Sequence, residues 1–323
     1  MQYRVLGRTG IQVSELCLGT MAFGGEADKD ASAAMYRAAR EAGINFFDCA
    51  NTYAKGRSEE ILGRLMAAER DELVITSKTF NPIGKDINAK GSSRRYLQLA
   101  VEQSLRRMNT DRLDVLFMHR FDDLTPLEET LRGIEDLVRA GKVLYPGASN
   151  FAAWQVAKAL GIAERQAWSR FEVMQPMYNL VKRQAEVEIL PLAQSEQLGV
   201  ISYSPVGGGL LSGKYSANER PGNARLVDNK MYAKRYSDEW AYATAGDFTH
   251  LARAHNMHPV TLAVAWVNAH PDITAPIIGA RHVEQLQPSL NAVDVQLSPE
   301  LYAQISSLSP TPPPATDRLE VQK

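Results

Sequence analysis

The feature that most constrains the fold of this chain is a regular alternation of short apolar runs with longer segments of helical period. Eight runs rich in β-branched and aromatic residues recur along the sequence, at residues 15–19, 45–49, 73–78, 114–119, 143–149, 172–176, 200–204 and 274–279. Such runs, when they alternate with helices, are typical of repeated βα units and a parallel sheet. Eight units close a barrel, so the sequence predicts an α/β protein with a (β/α)8 TIM-barrel fold.

Three segments depart from this alternation. Residues 3–6 and 11–13 flank a glycine-bounded turn, which predicts an N-terminal β-hairpin that caps the barrel floor. Residues 206–237, after the seventh run, are too long for an ordinary βα turn and predict a functional loop. Residues 311–323 are polar and rich in proline, so we expect a poorly ordered tail after a single barrel domain of residues 1–310.

Helix-capping residues predict where some helices begin and end. Thr125 and Pro126 offer an N-cap and a first-turn proline for a helix over residues 127–140. Gly141 can end that helix in the left-handed conformation, and we expect Gly199 to do the same before the seventh strand.

Composition and charge exclude several classes of function. The 323 residues include 36 basic and 37 acidic ones, for a net charge of -1, which leaves no global basic field to attract nucleic acid or an anionic membrane. No apolar stretch approaches the ~20 residues of a membrane span, and the start does not resemble a secretory signal. The near-zero charge favours small-molecule chemistry instead. Cys17 and Cys49 both lie in apolar runs, so we expect buried thiols, no disulfide and a cytoplasmic location.

Four ionisable side chains follow successive apolar runs at the points where strands are expected to end. Asp48 and Tyr53 follow the second run, Lys78 the third and His119 the fourth. Because the carboxyl ends of parallel strands converge on one face of a barrel, we expect these side chains to meet there. Each residue considered alone has a structural alternative. The tyrosine could anchor a loop, the Asp–Lys pair could be a salt bridge between adjacent strands, and the histidine could be a hydrogen-bonded structural residue. Their joint occurrence favours a catalytic site.

The tyrosine is the unusual member of this set. A free tyrosine has a pKa of about 10, far from neutrality. The ammonium group of Lys78 would favour the phenolate and lower the pKa of Tyr53. The four side chains therefore predict a proton-transfer device.

The ordered motifs resemble those of the aldo-keto reductases over nearly the whole chain. The matching fragments are residues 18–21, 47–53, 75–78, 118–120, 147–150, 174–175, 202–205, 209–215 and 276–281. The expanded seventh loop is closer to the bacterial branch of that family than to the aldose-reductase branch. The resemblance implies a (β/α)8 barrel that uses NADPH without a Rossmann domain, and no Gly-x-Gly-x-x-Gly follows the first run.

The resemblance also implies a role for each of the four side chains in carbonyl reduction. Tyr53 would protonate the developing alkoxide as a general acid. Lys78 would lower the pKa of Tyr53, and Asp48 would hold the Lys78 ammonium in place and keep it charged. His119 would donate a hydrogen bond to the substrate oxygen and so orient the carbonyl.

Residues after the strands are the expected cofactor contacts. They are Gly19, Thr20, Met21, Asp48, Ser149, Asn150, Gln175, Tyr203, Ser204, Pro205, Gly207, Gly209, Leu210, Lys214, Gly279, Arg281 and Gln285. Ser149, Asn150 and Gln175 could grip the nicotinamide carboxamide, and Tyr203 could stack on the nicotinamide ring. Asn150 could instead cap a helix, and Tyr203 could be a core ring.

The other end of the cofactor is expected at the seventh and eighth loops. Residues 207–209 would wrap the pyrophosphate with exposed backbone N–H groups, together with Lys214, although a glycine-rich lid is the alternative. Arg281 would bind the adenosine 2′-phosphate, which favours NADPH over NADH, and Gln285 would reach the adenine. The chain has Pro288 and the serine after it where many relatives have an acidic residue and an amide.

The expected substrate contacts are Phe23, Tyr53, His119 and Tyr178, which suggest an aldehyde or ketone with a hydrophobic body. A different class of function stays open, because the potassium-channel β subunits also look like aldo-keto reductases. Under that hypothesis the chain is a redox-sensing regulatory subunit with little turnover. A metal-dependent barrel hydrolase is a weaker alternative, because the six histidines form no cluster at a strand end.

Overall fold

The core of the molecule is a closed barrel of eight parallel strands. The computed structural model describes residues 1–222, 226 and 229–321. Its strands are β1 (Tyr3–Val5), β2 (Gln12–Ser14), β3 (Cys17–Gly19), β4 (Phe46–Asp48), β5 (Val74–Thr79), β6 (Leu113–Met118), β7 (Val143–Ser149), β8 (Val173–Gln175), β9 (Gly199–Ser202) and β10 (Ala275–Ile278). Strands β3 to β9 follow one another around the barrel, and β10 closes it between β9 and β3. The predicted (β/α)8 barrel is confirmed.

Helices follow the barrel strands and cover the outside. They are α1 (Lys29–Glu41), α2 (Arg57–Met66), α3 (Arg94–Met108), α4 (Leu127–Arg139), α5 (Ala153–Gln166), α6 (Ile189–Ser195), α7 (Lys230–Arg235), α8 (Glu239–Ala254), α9 (Pro259–Asn268), α10 (Val283–Leu290) and α11 (Pro299–Ser306). The long connection after β9 contains a 3₁₀ turn at Gly207–Gly209 and the short helix α7.

Side chains alternate between the barrel interior and the helical layer, as a pleated strand requires. The interior cluster of buried residues consists of Leu6, Val13, Cys17, Phe46, Val74, Val115, Phe117, Val173, Ile201 and Ala275. Phe47 and Ile75, the neighbours of two interior residues, belong to the larger cluster beneath the helices. Residues one step further along each strand therefore return to the interior, at its carboxyl end.

The hairpin β1–β2 closes the floor of the barrel, as predicted. Its strands are antiparallel, and Leu6 and Val13 belong to the interior cluster. Gly7 has a φ of +56°, and a Cβ there would lie 2.5 Å from the backbone nitrogen of Gly199. The Arg4 guanidinium donates to the carbonyl oxygen of Ile273 at 3.0 Å, just before β10. These contacts attach the hairpin to the amino ends of the strands.

Two predictions of helix ends are wrong. The hydroxyl of Thr125 donates to Asp122 Oδ2 at 2.7 Å and does not cap α4, whose N-cap residue is Pro126. Gly199 does not take the left-handed conformation; Gln197 does, with a φ of +56°. Gly199 is needed for close packing, because a Cβ there would lie 2.7 Å from Leu6 Cδ1. Gly141 has a φ of +69° after α4, as predicted.

Cys17 and Cys49 are both buried and free, as expected from their apolar surroundings. In the described part of the chain, no helix is both long and apolar enough for a membrane crossing. In the tail, the backbone N–H of Asp317 donates to the carbonyl oxygen of Pro314 at 3.0 Å, and a 3₁₀ turn covers Leu319–Val321. The poor order of the tail and the domain boundary at residue 310 stay predictions.

Candidate active site

The four predicted side chains meet at the carboxyl end of the barrel, around the ammonium group of Lys78. Lys78 Nζ lies 2.5 Å from Asp48 Oδ2 and donates to Tyr53 OH at 3.2 Å and to the carbonyl oxygen of Cys49 at 2.7 Å. The ring of His119 faces the ring of Tyr53 edge to face, with centroids 6.3 Å apart. The ammonium group therefore connects a carboxylate to a phenol beside an imidazole.

Strand register explains why three of these side chains share one face. Asp48 lies two residues beyond the interior residue Phe46, and Lys78 lies two beyond Thr76. His119 follows β6, two residues beyond the interior residue Phe117. Because side chains two apart point to the same face, all three return to the barrel interior at its open end.

Tyr53 reaches the same place from a tight turn after β4. The turn covers Tyr53–Gly56, and its residues Ala54, Lys55 and Gly56 have φ values of 47°, 58° and 93°. Two successive left-handed residues other than glycine are uncommon and costly, so the surrounding structure must impose this backbone. The turn holds the phenol over Lys78, whose ammonium lies 4.9 Å from the centre of the tyrosine ring.

Asp48 is held by more than its ion pair. Its Oδ1 accepts hydrogen bonds from Thr76 Oγ1 at 2.7 Å and from Gln175 Nε2 at 2.8 Å. Its side chain is 4% exposed and that of Lys78 is 1% exposed. A buried ion pair is tolerated when additional hydrogen bonds satisfy the remaining lone pairs, and both oxygens of this carboxylate have donors.

Burial and charge set the protonation of the site. Burial raises the pKa of Tyr53 to about 12 even though the Lys78 ammonium lowers it. Burial alone would lower the pKa of Lys78, but Asp48 and Tyr53 outweigh burial and raise it above its ordinary value. Burial and the Lys78 charge lower the pKa of His119 to about 4. At neutral pH the site therefore holds a protonated phenol, an ammonium group and a neutral imidazole.

The predicted lowering of the Tyr53 pKa is thus only partly right. Lys78 acts on the phenol in the expected direction, but removal of the phenolate from water has the larger effect. This balance depends on burial, which the sequence does not give.

The predicted nicotinamide contacts line the mouth beside the four side chains. Ser149 Oγ donates to the carbonyl oxygen of Gln175 at 3.0 Å. Asn150 Nδ2 donates to the carbonyl oxygen of His119 at 2.8 Å, and Asn150 Oδ1 accepts from Tyr203 OH at 2.7 Å. Asn150 has a φ of +56°, so a strained residue sits at the end of β7. Polar groups and a partly exposed aromatic ring are brought together here, next to His119.

The first loop contributes both buried and exposed candidates. Thr20 is buried, and its hydroxyl donates to the carbonyl oxygen of Asp48 at 3.1 Å, while Met21 is 44% exposed. Gly19 packs closely, because a Cβ there would lie 2.7 Å from Ile277 Cγ2. Gly279, at the end of the last strand, is exposed.

The glycine-rich turn after β9, the predicted pyrophosphate contact, is held by hydrogen bonds within the turn. The predicted N–H groups are engaged locally: those of Gly207 and Gly209 donate to the carbonyl oxygens of Ser204 and Val206 at 2.9 and 3.1 Å. The glycines have φ values of +61°, +66° and +105°, which explains why this turn uses them. Among the other candidates here, Leu210 and Pro205 are buried, Ser204 is half-buried and Lys214 is exposed.

Arg281 lies at the rim, after the last strand, and forms an ion pair that the sequence analysis did not predict. Its Nε and Nη2 donate to the two carboxylate oxygens of Glu26, in the first loop, at 3.0 and 3.4 Å. The backbone N–H of Arg281 donates to Gln285 Oε1 at 2.9 Å. Both charged side chains are about half exposed, so an incoming phosphate would compete with Glu26 for the guanidinium group.

Two of the predicted substrate contacts are buried. Tyr178 is fully buried, stacks on Trp266 at a centroid distance of 5.3 Å and donates from its hydroxyl to Glu186. Its burial beneath the helices contradicts the predicted substrate contact. Phe23 is 1% exposed and belongs to the outer hydrophobic cluster. Tyr53 and His119 therefore remain the substrate candidates at the mouth.

Two residues that were not predicted contact the four side chains, and a third follows His119 closely in sequence. Thr76 donates to Asp48, and Asn81 lies 3.3 Å from His119 Nδ1 through its side-chain nitrogen. Phe121, two residues beyond His119, packs on Trp154, which is 61% exposed. Their positions in the sequence could have indicated Thr76 and Asn81. Thr76 lies two residues before Lys78, and Asn81 lies three residues after it.

The fold and the geometry together define a class of protein, a (β/α)8 barrel with a Tyr–Lys–Asp–His constellation at its carboxyl end. The family model described as "Aldo/keto reductase family" matches residues 15–310. The chain therefore belongs to the aldo/keto reductase family. Membership supports an oxidoreductase activity on small carbonyl compounds with a nicotinamide cofactor. Across the described residues, no group of three or more His, Cys, Asp or Glu side chains is arranged to hold a metal ion.

Individual relatives resemble the chain over almost its whole length. A Bacillus subtilis protein described as the uncharacterized oxidoreductase YrpG is 36% identical over 97% of both chains. A probable voltage-gated potassium channel subunit beta of Oryza sativa is 35% identical over 98% of this chain and 99% of its own. A putative aryl-alcohol dehydrogenase of Schizosaccharomyces pombe is 34% identical over 92% of this chain and 93% of its own.

Proposed function

We propose that this protein is an NADPH-dependent reductase that converts aldehydes or ketones to alcohols, with Tyr53 as the general acid. The observation that carries the proposal is the position of the Lys78 ammonium between the Asp48 carboxylate and the Tyr53 hydroxyl, beside the His119 ring. A protonated phenol and a neutral imidazole at one open barrel end are suited to a carbonyl oxygen that gains negative charge.

The chain's own residues would divide the work of proton transfer. Tyr53 holds the proton that passes to the substrate oxygen, and its high pKa keeps it protonated at neutral pH. Lys78 stabilises the phenolate left behind by charge and by a hydrogen bond. Asp48 fixes the position of the ammonium group. His119 donates a second hydrogen bond to the substrate oxygen.

The residues at the mouth fit a nicotinamide cofactor by the chemistry of their donors and acceptors. The Asn150 amide lies beside His119, the Gln175 amide beside Asp48 and the Ser149 hydroxyl between these two residues, a polar set that suits a carboxamide, and Tyr203 adds a ring. When bound, NADPH supplies the hydride for the carbonyl carbon. Arg281 at the rim suits a 2′-phosphate, because guanidinium groups bind phosphate bidentately.

The test of the acid is Tyr53→Phe. This change removes the proton donor and keeps the ring, so turnover should fall at least 100-fold while the Kd for NADPH stays within about twofold. Turnover is measured as loss of NADPH absorbance with a panel of aromatic and aliphatic aldehydes, and Kd by fluorescence titration. Tyr178→Phe is the matched control, because it removes the hydroxyl of a fully buried tyrosine that donates to Glu186 and does not contact Lys78. Unchanged turnover in Tyr53→Phe would refute the assignment.

The test of the cofactor is Arg281→Ala. We expect the Kd for NADPH to rise about tenfold or more and that for NADH to change little, because only NADPH carries the 2′-phosphate. Equal losses for both cofactors would exclude a role for Arg281 in binding that phosphate.

A second candidate function rests on one comparison, the 35% identity to a probable potassium channel subunit beta over 98% of this chain. Under this alternative the chain binds the cofactor as a regulatory subunit and turns over little. Purified protein that binds NADPH tightly but oxidises no more than about one equivalent with any aldehyde in the panel would favour it. Multiple turnover would favour the reductase. A cytoplasmic location, which fits two buried free thiols, is also a proposal.

A further inference from the structure

His119 has a neighbour that the proposed mechanism does not use. Asn81, in the loop between β5 and α3, places its side-chain nitrogen 3.3 Å from His119 Nδ1. The backbone of Asn81 is fixed, because its carbonyl oxygen accepts a hydrogen bond from the buried Tyr96 hydroxyl at 3.0 Å. The same loop closes on itself where the N–H of Gly91 donates to the carbonyl oxygen of Phe80 at 2.8 Å. The amide is therefore presented to the imidazole by an anchored backbone.

The backbone of His119 is held on both sides as well. Its N–H donates to the carbonyl oxygen of Thr79 at 3.0 Å, and its carbonyl oxygen accepts from Asn150 Nδ2 at 2.8 Å. These bonds fix where the ring is attached but not which ring nitrogen carries the proton. The contact with Asn81 bears on that second question, because it involves the ring nitrogen Nδ1 itself.

The chemistry of the two groups determines the tautomer. A neutral imidazole has one N–H and one lone pair, and an amide nitrogen can only donate. A hydrogen bond from the amide nitrogen therefore needs the lone pair on Nδ1, which leaves the proton on Nε2. The reverse orientation of the amide, with its oxygen toward Nδ1, would require the proton on Nδ1. The tautomer thus reports the arrangement directly.

We infer that Asn81 is a positioning residue that fixes His119 as its Nε2–H tautomer, so that Nε2 donates to the substrate oxygen. Without this constraint, a fraction of the molecules would carry the proton on Nδ1 and present a lone pair to the carbonyl oxygen. The catalytic consequence rests on the proposed carbonyl reduction. The tautomer itself does not, because it exists in the protein without substrate or cofactor.

The first test is nuclear magnetic resonance of protein labelled with ¹⁵N in its six histidines. Two-bond correlations distinguish a protonated ring nitrogen from an unprotonated one, and His119→Asn assigns the His119 signals by their loss. At pH 7 to 8, we expect a protonated Nε2 and an unprotonated Nδ1 in the wild type. A protonated Nδ1 would overturn the inference.

Removal of the donor tests whether Asn81 is the cause. In Asn81→Leu, the ratio of Nε2–H to Nδ1–H should fall by about fivefold to tenfold, the worth of one hydrogen bond. An unchanged ratio in a folded variant, judged by its circular dichroism, would overturn the inference. If Asn81→Leu does not fold, Asn81→Asp takes its place, and there the carboxylate should draw the proton to Nδ1.

The second test is kinetic and uses the pH profile of Asn81→Asp. A carboxylate only accepts, so the neutral imidazole should lose its donor on Nε2 and kcat should fall about 100-fold at pH 8. The carboxylate should also raise the pKa of His119, and kcat should recover as pH falls, because an imidazolium donates from both nitrogens. Asn88→Asp makes the same charge change in the same loop and should keep the wild-type profile.

The two tests separate the inference from the proposed function. A loss of kcat in Asn81→Asp that is uniform across pH would overturn the role of the tautomer in catalysis. If the wild-type protein reduces no aldehyde, the proposed function fails, and the ¹⁵N measurement alone still shows whether Asn81 fixes the tautomer.

Discussion

Asp48→Asn should destabilise the protein, and the burial of the Asp48–Lys78 ion pair determines by how much. The change removes the carboxylate from a Lys78 ammonium whose side chain is 1% exposed. Removal of one partner of a buried ion pair costs about 3–5 kcal/mol, because the other charge remains buried without compensation. A chain of 323 residues has an unfolding entropy of about 0.7 kcal/mol/K. The expected fall in Tm at pH 7 is therefore about 4–7 °C.

This loss of stability should shrink as the pH rises toward 10. In the wild type, the pKa of Lys78 is raised, so its contribution is complete below the unfolded pKa of about 10.4 and is lost as pH rises through the folded value. In Asp48→Asn, the carboxylate no longer offsets the effect of burial on Lys78. The pKa of Lys78 in the folded variant should therefore fall below about 10.4. The folded variant then binds fewer protons than the unfolded chain, and its stability rises with pH between those values.

The assay is thermal unfolding, followed by circular dichroism, at pH 7, 8.5 and 10. Asp114→Asn is the matched control, because Asp114 pairs with Arg70 at 2.8 Å and both side chains are largely buried. A guanidinium group keeps its charge throughout this range, so the control should lose the same stability at every pH. A Tm for Asp48→Asn within 1 °C of the wild type at pH 7, or a loss equal at pH 7 and pH 10, would refute the reasoning.

Two further perturbations test the rim and the barrel interior. Glu26→Gln frees Arg281 from its exposed ion pair, so the Kd for NADPH should fall about twofold to fivefold and the Kd for NADH should not change. Fluorescence titration of both cofactors measures these constants. A weaker NADPH complex would contradict the prediction. Gly147→Ala should cost about 1–3 kcal/mol, because the new Cβ would lie 2.5 Å from the ring of Phe117. Urea unfolding measures this loss of stability. Gly161→Ala is the control, since no heavy atom lies within 4 Å of a Cβ at Gly161. Equal changes in the free energy of unfolding for the two variants would exclude overpacking as the cause.

The barrel was predictable because each strand has a recognisable local sequence pattern. A β-branched or aromatic run between helical segments is visible in a window of a few residues, and eight in order admit one common architecture. Helix ends were less predictable, because one residue type serves several purposes. Gly199 lies between a helix and a strand in sequence, as a helix-ending glycine would, yet its lack of a side chain matters for contact with Leu6, which is 193 positions earlier in the chain. Only the folded structure distinguishes the two roles.

The candidate site was predictable in its membership and less so in its energetics. Asp48 and Lys78 lie in the last residues of their strands and His119 directly follows its strand, so topology alone brings them to one end of the barrel. The net pKa of Tyr53 depends on how far burial outweighs one ammonium group, and the ion pair of Arg281 depends on a loop more than 250 residues away. Tyr178 follows β8 as Tyr53 follows β4, but its ring is buried against Trp266 instead of facing the mouth.

The two faces of β5 show why the register of the site is secure. On the inner face, Lys78 donates to Asp48, and on the outer face, Ser77 donates to Glu59 Oε1 at 2.6 Å. Glu59 is fully buried and also accepts from Arg107 Nε at 2.7 Å. A slip of one residue would turn Lys78 outward and Ser77 inward, because successive side chains point to opposite faces. Asp48 would then lose its cation while Lys78 met a carboxylate that Arg107 already neutralises, so the charges on both faces select the register that places the ammonium beside Tyr53.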